Sequence, residues 1–273
     1  MAGISNGRGA GPDPDEQAAP AHDHAADSAG NPWAGRTFDA HDTTFTEDDG
    51  LADPAVVAAI TAVASGGPHA AVVDALRTAR LLIPLVAEAG DVGETPDGRI
   101  VDKTQELSII TVAGPDGRAV MPAFTSVEAM RSWDVDARPI PVESRRVAMA
   151  AASEDTQLVV LDPTAATEFV LRRPAVWALG QDLPWTPCSE DPEVARAFAG
   201  TIETEPAVVR IELSPGDPLS RFAGPELTVG LRLIAGLDRE QIAELVGRLQ
   251  QRWASDPVIA ERVDSMRVAL RAA

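Results

Sequence analysis

The stretch Met121-Pro-Ala-Phe-Thr-Ser-Val-Glu-Ala-Met-Arg-Ser-Trp133 constrains the fold of this chain more than any other. Its first residues are apolar and end at Phe124. Thr125-Ser-Val-Glu128 then follows the T-x-x-E capping-box pattern, in which a hydroxyl takes a first-turn amide and the acid reaches back to the cap. A strand must therefore give way to a short helix within two residues, and that helix buries Met130 and Trp133. A chain built around this unit mixes strands and helices.

The surrounding sequence supplies more of both. Asp53-Pro54 is a strong helix start, since Asp caps free amides and Pro is pre-organised for the first turn. Val56, Val57, Ile60 and Val63 follow at helical spacing, and Gly66-Gly67 ends the run. Pro68 opens a second helix through Val72, Val73 and Leu76. Residues 81–86, 107–112 and 119–124 read as strands, the last entered through the Pro115-Asp116-Gly117 turn. The acidic, Gly/Pro-rich loop 89–104 is longer than a hairpin needs. Ser144 is expected to cap a helix through Val147 and Met149. Residues 158–161 and 169–171 read as strands, with a helix opened by Pro174. This order predicts an α+β fold with a mixed-sheet N-terminal domain over 51–180. A Pro- and acid-rich linker over 181–204 contains a short helix near Val194 to Phe198. A small C-terminal domain over 205–273 is expected to be ββαα. Its first helix starts at Asp238-Arg-Glu-Gln241, and its last carries Ile259, Val263, Met266 and Leu270 on one stripe.

Composition adds limits. The net charge is −19, and residues 1–54 hold 11 acids against Arg8 and Arg36. Residues 1–50 have no apolar period and read as a disordered acidic tail. Such a field repels phosphate backbones and anionic lipid, so direct nucleic-acid binding is not expected. Residues 205–273 are nearly neutral, with nine arginines among ten acids. Cys188 is the sole cysteine, which fits a reducing cytosol. The first residues lack a signal-peptide core and no apolar run is long enough to span a bilayer, so the expected place is cytoplasmic.

The chemistry available is sparse. His22, His24, His41 and His69 are the only histidines, so only His69 could serve a catalytic pair within the fold. Gly3-Ile-Ser-Asn-Gly7 matches G-x-S-x-G but lacks the strand and helix that make a nucleophile elbow. His22-Asp-His24 is too small a set for a metal site, and the acids of the 89–104 loop lack calcium-loop spacing. No metal and no cofactor are expected. Cys188, beside Glu190 and Asp191, reads as a passive thiol. Arg145-Arg146 and Arg172-Arg173 read as solvated helix faces. The ligand- or partner-binding candidates are Lys103, Phe124, Thr125, Ser126 and Trp133. Lys103 is the only lysine, and Thr125 and Ser126 present helix-start amides and hydroxyls.

Four segments together resemble the N-terminal domain of the SseB family, named for an enhanced serine sensitivity phenotype. They are Leu82-Ile-Pro-Leu-Val86, the 107–112 strand, Pro122-Ala-Phe-Thr-Ser-Val-Glu128 with Trp133, and residues 158–163. Residues 207–271 resemble the SseB C-terminal domain. Asp162-Pro163 stands where relatives are expected to carry Asn-Pro. The resemblance implies a bacterial protein whose biochemical role is undefined. Together with the missing catalytic groups, it predicts a non-enzymatic binding or regulatory module that meets a protein or small ligand near Phe124 to Trp133. A second copy of the chain is a further candidate partner. The alternative is an enzyme of amino-acid-related metabolism working with Lys103, Thr125 or Ser126 and carboxylates.

Overall fold

The computed structural model describes residues 45–85, 92–94, 100–102, 110–153 and 156–272. Glu47–Ala273 cluster as one compact unit. The tail expected over 1–50 lies outside the described residues up to residue 44, as do the Gly3–Gly7 motif, the three tail histidines and Lys103. Its last residues belong to the folded unit instead. Asp48 takes Arg80, and the carbonyl of Gly50 (φ +75°) accepts the amide of Val127 at 2.9 Å.

Helix α1, Pro54–Ala64, starts as its sequence dictates, with Asp53 accepting the Ala55 amide. Helix α2 is Ala70–Leu76. Strands β1 (Arg80–Leu85), β2 (Val92–Glu94), β3 (Ile100–Asp102), β4 (Val112–Ala113) and β5 (Ala119–Ala123) follow. Helix α3, Val127–Trp133, comes next, then β6 (Arg138–Glu143), α4 (Ser144–Ser153), β7 (Val159–Leu161), β8 (Phe169–Leu171) and α5 (Arg173–Gln181). The sheet order is β4-β5-β7-β8, with β5 and β7 parallel. β1 pairs antiparallel with β6 and touches the end of β5 through a Leu82–Phe124 bridge. Helices α1, α2, α4 and α5 bury Val56, Leu76, Val147 and Val176 against Leu81, Met121 and Leu161 in one core.

After residue 181 come α6 (Pro192–Thr201), β9 (Val208–Pro215), β10 (Leu227–Leu233), α7 (Arg239–Ser255), α8 (Pro257–Arg262) and β11 (Met266–Ala272). The three-stranded sheet is ordered β11-β10-β9. Leu227, Val229, Leu231 and Leu233 alternate inward and pack with Phe198, Leu249 and Trp253. Asp238 and Gln241 form the full capping box. Among the described residues, no helix is long and apolar enough to cross a membrane.

Three expectations are corrected. The terminal unit is ββααβ, not ββαα: α8 stops at Arg262 and the rest is strand β11, parallel to β10. Met266, Val268 and Leu270 alternate as well as they fit a helical stripe. The choice is made by tertiary bonds at the break, where the Asp264 amide goes to Glu226 and the Ser265 hydroxyl accepts the Glu226 amide. Strand β6 was not expected at all. Pro139 and Pro141 remove two ladder donors, which a strand tolerates at an edge. Finally, the cap of α3 is Ser126, whose hydroxyl accepts the Ala129 amide, because the Thr125 hydroxyl is engaged elsewhere.

Candidate functional site

Among the described residues, two polar centres and an open groove offer candidate sites. The first lies under α3. Asp162 is fully buried in a left-handed conformation (φ +44°) between β7 and β8. Its Oδ1 accepts the Thr125 amide at 2.7 Å. Its Oδ2 accepts the hydroxyls of Thr125 and Thr167, each at 2.7 Å. A buried carboxylate is tolerated when its oxygens are hydrogen-bonded, and three donors reach these. The Thr125 carbonyl accepts from Arg80, which also bonds Asp48 and the Leu51 carbonyl. The hydrogen bond from Arg80 holds the Asp48 carboxyl below its ordinary range.

The expected site residues thus sort by burial. Phe124 is fully buried against Trp133, ring centroids 5.3 Å apart, and Thr125 is buried beside it. Ser126 and Trp133 are half-buried at the surface of the same corner. Lys103 lies outside the described residues.

The second centre joins the start of α5 to the chain beyond 215. Arg172, read from sequence as a solvated residue, is 5% exposed. Its guanidinium donates to Asp217 at 2.9 Å, the Gly224 carbonyl at 2.6 Å, Ser265 at 3.3 Å and Asp264 at 3.4 Å. Arg118 grips Asp264 with two bonds of 2.9 and 3.1 Å. Both guanidiniums lie over the Phe222 ring. The fork geometry of Arg is what allows so many acceptors to be met at once. No sequence signal pairs Arg172 with acids 45 and 92 residues away.

Beside Arg172 lies a cavity of about 40 Å³ lined by His69, Trp185, Cys188, Ser220 and Glu226, among others. This brings together the only histidine of the folded unit and the only cysteine. The volume suits a water, not a metabolite. His69 Nε2 donates to the Pro218 carbonyl at 3.0 Å. Cys188 is 2% exposed, and burial, reinforced by Glu226, raises its thiol pKa, so it is held as an inert thiol rather than a thiolate. Among the described residues, no group of three or more His, Cys, Asp or Glu is placed to hold a metal ion.

Glu226 gives this centre a pH signature. Burial, and then the Asp264 carboxylate, push it up to about 7. The Asp264 amide and Arg172 oppose the shift. The folded chain therefore keeps a proton that the unfolded chain releases near the ordinary glutamate value of 4.5. That contribution to stability is complete below about pH 4.5 and is lost as pH rises through about 7. The slope is at most about 1.4 kcal/mol per pH unit. Glu226→Gln keeps an acceptor for the Asp264 amide and removes the titration. Urea unfolding from about pH 5 to about pH 8 should show the variant gaining on the parent as pH rises. Parallel curves would reject the assignment.

The open groove runs between α4 and α5. It encloses about 410 Å³ and is lined by Ala148, Met149, Ala152, Val176, Trp177, Gly180 and Gln181. Met149 is 57% exposed. None of these side chains titrates.

Residues 56–178 match the family described as the SseB protein N-terminal domain. No curated protein and no solved structure matches the chain.

Proposed function

The chain is an SseB-family protein by its residues 56–178, and on that premise we propose that it is a cytosolic, non-enzymatic binding module that docks a protein partner. The segments 51–180, 181–204 and 205–273 are read as its N-terminal domain, linker and SseB C-terminal-like domain. Support for two domains comes from an apolar core within residues 56–179 and another within 188–263; Cys188, Val194 and Phe198 of the linker segment are buried in the second.

The observation that carries the binding reading is the α4–α5 groove. It is a largely apolar concavity of about 410 Å³ with a flexible Met at its lip, and nothing in its lining can move a proton. The polar groups named as candidates favour the same reading. Thr125 is committed to Asp162, and Ser126 to the first turn of α3. Ser126 and Trp133, half-buried at the α3 corner, are kept as a second candidate contact surface apart from the groove.

The test is Met149→Glu, an exposed change that leaves the core intact. Affinity for a stoichiometric partner isolated with the full chain should fall about tenfold or more, as burying an unpaired charge in an apolar contact requires. Arg196→Glu, on α6, should leave it unchanged. Equal binding by both variants removes the groove from the proposal. Metabolite turnover abolished by Lys103→Ala, with unchanged melting, would instead support the enzyme reading.

A further inference from the structure

The sheet β11-β10-β9 buries one face under the helices and leaves the other open. Register fixes what the open face carries. Ser214, Thr228 and Arg267 form one row, Glu212, Gly230 and Ala269 the next, and Arg210, Arg232 and Arg271 the third. Four arginines thus meet one acid on a molecule whose net charge is −19. Glu212 is shared by Arg210 and Arg232, at 3.1 and 3.6 Å. Arg267 donates to the Thr228 hydroxyl at 2.9 Å. Neither Arg267 nor Arg271 has a carboxylate partner among the described residues, and both are exposed. They stand on β11, which is the edge of its sheet.

The other side of the same strand is apolar. Met266 and Val268 line a groove of about 360 Å³ with Trp253, Ala254, Ile259 and Val263, and Arg173, Gln250 and Arg267 complete its lining. β11 therefore offers three things together: an edge unpaired among the described residues, guanidiniums four residues apart on one face, and on the other a largely apolar groove. Long edges are normally blunted or covered, because their backbone groups invite another strand.

We propose that β11 is a docking edge for an extended segment of a partner protein, with the pattern acid–apolar–any–apolar–acid. The segment adds as a fourth strand through main-chain hydrogen bonds. In a strand, residues i and i+4 share a face, so two acids so spaced stand opposite Arg267 and Arg271. The residues between them at i+1 and i+3 point to the opposite face, where i+1 meets Val268 at the groove and i+3 meets the exposed side chain of Leu270. The small Ala269 leaves position i+2 unrestricted.

Two other occupants fit worse. An antiparallel pair of β11 strands from two copies, centred on Ala269, would set Arg267 against Arg271, and like charges directly opposite repel. A nucleic-acid strand would have no aromatic ring to stack on across this face, and the overall negative charge repels a polyanion. The site is separate from the α4–α5 groove, so either proposal can fail alone.

The experiment is a fluorescence-anisotropy titration of the full chain against a labelled Glu-Val-Thr-Val-Glu peptide flanked by Gly-Ser, at low salt. Controls are the Lys-Val-Thr-Val-Lys peptide and a single-stranded oligonucleotide. Saturable micromolar binding of the acidic peptide alone is expected. The double variant Arg267→Glu/Arg271→Glu should lose about tenfold or more of that affinity and gain affinity for the lysine peptide, with an unchanged melting temperature. Three outcomes overturn the proposal: no saturation by about 1 mM peptide, acidic-peptide binding indifferent to the double variant, or oligonucleotide binding that depends on these arginines.

Discussion

Arg172→Met should lower the unfolding free energy by about 3–5 kcal/mol, the cost of removing one partner from a buried ion pair. The native guanidinium satisfies two carboxylates, one carbonyl and one hydroxyl at 5% exposure. Methionine fills the volume but leaves those acceptors facing an apolar tip. Asp264 keeps Arg118, and Asp217 keeps the Phe222 and Arg221 amides at 2.8 and 3.2 Å, so the loss is large without being total. Arg172→Lys retains charge but places one compact ammonium where a fork reached four acceptors. It should recover only part of the loss. Urea unfolding of Arg172→Met, Asp217→Asn and the double variant measures the coupling directly. Neighbours in one network should couple by about 1–3 kcal/mol. A single-variant loss under about 1 kcal/mol would show that the cluster is ornamental.

The consequence is also organisational. Arg172 begins α5, which packs in the first core, and its acceptors lie at 217, 224, 264 and 265. Arg173 adds bonds to the carbonyls of Ala260 and Val263 at 2.6 and 2.7 Å. Adjacent arginines thus tie one core to the other, and hydrogen exchange in Arg172→Met should rise in β9 and β11 before it rises in β1 or β5.

The sequence is most legible where the determinants are local. Asp53-Pro54, Asp238 to Gln241 and Asp256-Pro257 each start the helix they announce, because a cap and its amides lie within a few residues. It is least legible where two local patterns compete. Residues 266–270 satisfy a stripe and an alternation equally, and the bonds of Asp264 and Ser265 to Glu226 decide between them. Thr125 and Ser126 compete for one cap, and a carboxylate 37 residues away takes Thr125 out of the contest. The arginine face of β9–β11 was invisible for the same reason. Arg210, Arg232 and Arg271 align only once β11 is known to be a strand parallel to β10 and the β9–β10 register is known. Chain-distant partners likewise hid Arg172, whose sequence neighbourhood reads as an ordinary basic pair.

Asp162→Ala and Asp162→Asn should part company, and the difference says what the buried carboxylate does. Alanine strands the Thr125 amide and the hydroxyls of Thr125 and Thr167, and it is forced into a left-handed backbone at φ +44°. Unmet buried donors cost about 1–3 kcal/mol each, and the backbone adds roughly 1–2, so a net loss of about 3–5 kcal/mol is expected after partial relaxation. Asparagine tolerates the left-handed region. Its carbonyl can keep the Thr125 amide while its amide group donates to both hydroxyls, which reverse their roles because a hydroxyl both donates and accepts. It should fall within about 1 kcal/mol of the parent. That result would account for the expectation of Asn-Pro at this turn in relatives, since either side chain closes the same ring of bonds. Thr125→Val, which deletes one hydroxyl, should cost about 1–3 kcal/mol. If Asn and Ala are equally damaging, the negative charge itself is required, and Asp162 with Thr125 must be re-examined as a reactive pair rather than as the clasp that sets α3 and Trp133.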